Sequence, residues 1–161
     1  MNTTEQLLAE LSFVLPAPTQ LPPGVTLPFP MVRVVASSAI ISGHGPTNPD
    51  GNFALPLGKV GAEVTEGQAY VAARLTGLAM LGCLKRELGD LSRIACWTRV
   101  FGMVNSAPGF IRQPAVINGF SDLILSVFGS TQGAHVRSAV GVAELPFGIP
   151  VEIEGEVELK R

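Results

Sequence analysis

The chain is predicted to fold as an α+β domain, a two-layer sandwich in which a mixed β-sheet is covered on one face by two helices. Three observations lead there. Between His135 and Leu159, two runs of period-two alternation flank a Pro/Gly turn, the pattern of two strands joined by a short connection. Two long helical stretches, opening near Thr65 and Arg112, are each closed by a glycine, Gly89 and Gly129. Shorter strand-type runs lie before and between them, so the order reads helix, strand, strand, helix, strand, helix, strand, strand. Two long helices that can both lie on one face of a mixed sheet describe this architecture.

Each element has a local reason. Thr4 to Phe13 carries leucines and a phenylalanine at helical spacing, which predicts a short amphipathic helix. Pro16, Pro18, Pro22, Pro23, Pro28 and Pro30 follow within fifteen residues. Proline fixes φ and lacks the amide hydrogen, so this stretch is an extended arm rather than a helix. Residues 1–30 are therefore a helix and a proline-rich arm appended to a single domain at 31–161. Strands are expected at Met31–Val35 and Ala39–Ser42, then a loop from Gly43 to Gly58 punctuated by Pro46, Pro49 and Asp50-Gly51. Thr65 with Gln68 is a capping-box pair opening a helix to Leu88. Its apolar stripe is Val71, Leu75, Leu78, Leu81, Leu84 and Leu88, with Gly89 as a left-handed cap. Leu91 to Val104 reads as a strand with Ile94, Cys96 and Thr98 on one side, and Trp97 as a core or interface residue. The second long helix runs from Arg112 to Phe128.

Composition narrows the function. Of 161 residues, 15% are charged and 47% hydrophobic, against roughly 25% charged in an average soluble protein. A surface so poor in charge points to burial against copies of the same chain; the other reading is a Gly/Ala/Pro-rich monomer with a neutral surface. A net charge of −2 and a pI of 5.6, with scattered Lys and Arg, offer no footprint for nucleic acid. The stretch between Arg74 and Lys85 falls well short of the ~20 residues that span a bilayer. The N-terminus lacks the pattern of a secretion signal, so a cytoplasmic protein without membrane contact is expected. Cys83 and Cys96 have no metal-ligand spacing and read as reduced, buried small hydrophobes. Neither a metal motif nor a phosphate loop is present, and no nucleophile elbow accompanies His44 or His135. No metal or cofactor is expected.

Candidate site residues cluster near the C-terminus. Alternation places Arg137, Ala139, Gly141 and Ala143 on one strand face, a shallow trough with a single guanidinium. Arg presents a rigid fork of donors that matches a carboxylate; the alternative is an ordinary surface arginine or ion-pair partner. Glu152, Glu154, Glu156 and Glu158 form a row on the next strand. By pattern alone it is the solvent face of an edge strand, with no member set apart. Ser42-Gly43 ends a strand, where glycine can expose backbone N–H groups to a ligand or simply make a turn.

These segments resemble a known family. Arg137-Ser-x-Val-x-Val-x-x-Leu-Pro, followed by Val151-x-Ile-Glu, resembles the C-terminal signature of the Rid/YjgF family, and the likeness runs from about Phe29 to the C-terminus. Val104-Asn-Ser-Ala-Pro, Gln113-Pro-Ala-Val-Ile-Asn-Gly and Ser121-Asp-Leu resemble a longer subgroup labelled endoribonuclease or translation inhibitor. The resemblance implies a chorismate-mutase-like fold and a homotrimer with clefts between subunits. Its implied chemistry is hydrolysis of enamines or imines to ketoacids and ammonia, in the manner of 2-iminobutanoate/2-iminopropanoate deaminases. It gives Arg137 the role of carboxylate clamp and Glu152 that of orienting or deprotonating the attacking water. Ser42, Gly43 and His44 stand where the family has Ser-Gly-Gln, and Asn118 where an Asn lines the cleft; its alternative is a helix-surface amide. Phe29 replaces a family Tyr, Ala139 replaces the Cys of the deaminase branch, and Gly141 replaces a longer residue, which together imply a roomier, less polar pocket. An imine carbon is already electrophilic and needs positioning more than a cofactor. The expected partner is a small carboxylate ligand. The rival reading is a non-catalytic binder of small carboxylate metabolites; ribonuclease activity suits neither the charge nor its distribution.

Overall fold

The computed structural model describes residues 4–160. A five-stranded sheet is built from β1 (Val32–Val35), β2 (Ser38–His44), β3 (Ile94–Asn105), β4 (Val136–Val142) and β5 (Val151–Leu159), in the order β1-β2-β5-β3-β4. β3 and β4 are parallel and the other neighbours antiparallel, so the sheet is mixed and the α+β expectation holds. The last strand enters the middle of the sheet, between β2 and β3. The glutamate row is therefore central rather than on an edge strand. Val151, Ile153, Val157 and Leu159 are buried, and the intervening glutamates take the opposite face.

Helices α2 (Glu66–Leu88) and α3 (Gln113–Gln132) form the second layer. Thr65 caps α2 through the full reciprocal capping box with Gln68, and Gly89 closes it at φ 79°. Of the expected stripe, Leu78, Leu81, Leu84 and Leu88 are buried and Leu75 packs partly covered against the core, while Val71 is 39% exposed; the small residues Ala69, Ala73 and Gly77 are buried beside them. The reason is close helix–helix approach. A Cβ on Gly119 of α3 would lie 2.0 Å from the Tyr70 carbonyl oxygen, and one on Gly77 would lie 2.8 Å from Leu123. Small residues set that spacing. The α3 backbone leaves helical geometry at Gly129, φ 74°, before a last turn to Gln132, as the glycine predicts.

In β3 the register against β5 shifts between Ile94 and Cys96 and again between Trp97 and Arg99. These irregularities turn Ile94, Trp97, Val100 and Val104 to the core, leaving Cys96 and Thr98 only partly covered. Strict alternation, which groups Ile94 with Cys96 and Thr98, fails at these irregularities. Trp97 is a core residue, edge-on to Phe120 at 5.4 Å and Phe128 at 6.2 Å. Neither cysteine is fully buried.

The N-terminal segment is docked. Helix α1 (Thr4–Glu10) sends Leu8 into the core, and Glu5 accepts from Lys85 Nζ at 2.7 Å and the Leu91 amide at 3.1 Å. The proline arm is held by Ala17 N–H to the Pro49 carbonyl at 3.0 Å and Gln20 N–H to that of Gly51 at 2.9 Å. Arg86 Nη1 donates to the Pro16 carbonyl at 3.0 Å. The arm thus lies across the 45–54 loop and the C-terminal half of α2. No helix among the described residues is long and apolar enough to cross a membrane.

Candidate functional site

A cavity of about 490 Å³ lies beneath this arm. It collects four of the sequence-predicted residues: Phe29 from the arm, Gly43 and His44 from β2, and Glu152 from β5. A bulge makes the juxtaposition. From the Ile41–Gly155 pair to the His44–Ile153 pair, β2 advances three residues while β5 advances two. The extra residue brings Gly43 against Glu152, so closely that a Cβ there would stand 2.0 Å from Glu152 Oε1. Only glycine leaves room for that carboxylate. Burial raises the Glu152 pKa above the ordinary carboxylate range, and the neighbouring Glu154 adds to the shift. Both effects disfavour the charged form, the direction that suits a carboxylate which takes up and returns a proton.

His44 is 4% exposed. Its Nδ1 lies 2.7 Å from the Ser42 carbonyl; a carbonyl only accepts, so Nδ1 carries the proton and Nε2 is left with its lone pair. Burial is the main effect holding the imidazole pKa down, the bond to Ser42 opposes it, and the Arg86 charge adds to the lowering. His44 is thus a neutral acceptor in the cavity wall. Ser42 contributes structure instead, its hydroxyl donating to the Pro30 carbonyl at 3.0 Å and fixing the end of the arm.

Arg137, Asn118 and Ala139 form a separate group at edge strand β4. Arg137 Nη1 donates to Ser121 Oγ at 2.8 Å, and Nη2 donates to Asn118 Oδ1 at 2.6 Å and the Pro114 carbonyl at 3.1 Å. The small-residue trough is filled rather than open. Ala139 packs against the core, and a Cβ on Gly141 would lie 2.8 Å from Gln113 Nε2 and from Ser106 Oγ. Small residues are needed there because the start of α3 sits on the strand. Three of the five guanidinium N–H groups are spent on α3, and two have no acceptor among the described residues. Burial lowers the Arg137 pKa and the Asp122 charge opposes it; the group remains a cation.

Sequence reasoning missed the support behind Arg137. His135 Nδ1 donates to the Gly133 carbonyl at 2.7 Å, so its Nε2 accepts from Ser121 Oγ at 2.9 Å. The relay Arg137–Ser121–His135 orients the guanidinium. Its signal was available in part: His135 stands just before β4 and two residues from Arg137, the spacing of side chains that share a face in extended backbone. The far wall of the cavity, with Phe53, Cys83, Phe147 and Ile149, had no sequence signal, being gathered from three separate segments.

Comparisons with known proteins agree with this architecture. Residues 25–148 match the family described as YjgF/chorismate mutase-like, putative endoribonuclease. Protein TCP17 of Trypanosoma cruzi is 48% identical over 119 residues, 74% of this chain and 73% of that protein. The crystal structure of Atu1372 from Agrobacterium tumefaciens, a protein of unknown function, superposes with a TM-score of 0.85 at 36% identity, covering 98% of this chain and 92% of the other. A putative endoribonuclease from Shewanella oneidensis MR-1 gives a TM-score of 0.87 at 31% identity over 98% and 100% of the two chains. A match spanning most of the domain, on a sheet and helix layer of the same design, makes this chain a member of the YjgF/chorismate-mutase-like (Rid/YjgF) family.

Proposed function

We propose that this protein hydrolyses imines or enamines bearing a carboxylate, as a homotrimer whose sites close between neighbouring copies. The observation that carries the reading is the Glu152 carboxylate, its pKa raised, held against Gly43 in the cavity wall. In the ionised form Glu152 accepts a proton from water as the water oxygen bonds to the imine carbon. The proton then passes to nitrogen, and the carbinolamine collapses to a ketoacid and ammonia. The two unspent N–H groups of Arg137 suit the substrate carboxylate. No residue of the Arg137 group lines the Glu152 cavity among the described residues, so the clamp is supplied by the adjoining copy. Exposed Val34, Val35, Ile40, Val136 and Val140 on the strands support such contact.

Glu152→Gln keeps the shape but cannot take a proton, and acid–base assistance is worth ~10²–10⁴ in rate. Loss of that order in hydrolysis of enzymatically generated 2-aminoacrylate is expected, with Glu154→Gln close to wild type. Light scattering should give three times the 16.9 kDa chain mass; equal activity of the two variants, or a monomer, would overturn the reading. Ala139 without a thiol and Phe29 without a hydroxyl favour a second reading, a carboxylate-binding protein. An inactive wild type that still binds ketoacids would select it.

A further inference from the structure

We infer that the cavity beneath the proline arm is a side-chain pocket, so that the preferred substrate is an imino acid with an aromatic side chain rather than a three- or four-carbon one. This rests on the imine-hydrolysis reading and specifies its substrate class. The first ground is size. Cavities of about 300–1,000 Å³ accommodate drug-sized ligands, and the space here is about 490 Å³; a three-carbon imino acid would leave most of it empty. The second is the lining beyond Glu152, which is dominated by Leu21, Leu27, Phe29, Met31 and the Phe53–Phe147 pair.

That pair has its own geometry. The two rings stack at 5.2 Å with 27° between planes, and Phe147 sits at φ 60°, a left-handed conformation uncommon for an aromatic residue. Such conformations persist where the surrounding structure enforces them and cluster at ligand sites. The third ground is His44 Nε2, which has no partner among the described residues in a residue only 4% exposed that lines the cavity. A ring bearing a hydroxyl or N–H gives this acceptor its bond, so a phenolic side chain fits better than a phenyl one. The arm itself supplies Leu21, Leu27 and Phe29, with Met31 just beyond it, and is pinned by Arg86 and the 49–51 loop, so the pocket is built into the fold of one chain.

The test compares imines generated by an amino-acid oxidase from alanine, phenylalanine and tyrosine, and thermal shifts with pyruvate and phenylpyruvate. One methylene in an apolar pocket is worth about 10–200-fold, so kcat/KM for the aromatic imines should exceed that for the alanine-derived one at least ~10-fold. Phenylpyruvate should raise the melting temperature more than pyruvate at equal concentration. Cys83→Phe, which puts a larger side chain into the pocket from α2, should lower kcat/KM for the aromatic imines more than for the alanine-derived one and so erode that preference. Equal or better turnover of the alanine-derived imine, with equal shifts for the two ketoacids, would overturn the pocket and leave imine hydrolysis standing. A selective shift with phenylpyruvate in a protein that hydrolyses no imine would uphold the pocket and remove the hydrolase reading.

Discussion

Replacing Gly43 with alanine tests the site at its tightest point. The added Cβ would lie 2.0 Å from Glu152 Oε1 and 2.9 Å from its Cδ. Carbon–oxygen contacts settle near ~3.3 Å, so the carboxylate must retreat by more than about 1 Å. Gly43 is not among the glycines with positive φ, so the backbone itself tolerates alanine. The clash falls on the end of a flexible side chain, whose displacement from a preferred rotamer costs about 1 kcal/mol. Folding should survive while positioning fails. A misplacement of 1 Å lowers a catalytic rate by ~10²-fold. The assay is kcat/KM for imine hydrolysis beside a urea unfolding curve, and Gly43→Ala/Glu152→Gln should be no slower than Glu152→Gln alone, since both changes remove one function. Full activity in Gly43→Ala would show that the carboxylate position does not matter and would refute the reasoning.

Arg137→Ala removes three bonds to α3, so beyond losing ketoacid binding it should cost about 1–2 kcal/mol in chemical denaturation, discounted for partial solvation. Unchanged stability would contradict the anchoring role. Gly119→Ala drives a Cβ into the Tyr70 carbonyl and should destabilise by about 1–3 kcal/mol or more, read as a lowered urea midpoint with little effect on the residual native activity. The raised Glu152 pKa means the native state holds its proton to higher pH than the unfolded chain. Its contribution to stability therefore falls as pH rises from the ordinary glutamate range through the raised value, and Glu152→Gln should flatten that part of the stability–pH curve. The acidic limb of wild-type kcat/KM should lie above the ordinary glutamate pKa for the same reason.

Much of the fold was legible because its signals are local. A capping box at Thr65, prolines that exclude helix, glycines that end α2 and break α3, and period-two runs in β4 and β5 each act within a few residues. Family-like motifs also mark Arg137 and Glu152 as candidate site residues. Local patterns could not say that β5 would enter the sheet between β2 and β3, because strand order depends on contacts far apart in sequence. Nor could they show that irregularities in β3 would turn Cys96 from the core, or that Ala73 and Gly77 would set the close approach of α2 to α3. Ala139 and Gly141 illustrate the limit best. Their smallness was plain in the sequence, but it has two physical meanings, an open trough or a seat for a helix, and only packing decides between them. The same holds for Gly43, whose role exists because a bulge carries it against a side chain more than a hundred residues away, leaving no room for a Cβ. What the chain alone determined were the backbone preferences of each segment and the chemical groups it carries. Burial, bulges and approach distances belong to tertiary structure, because they arise only when distant segments share space.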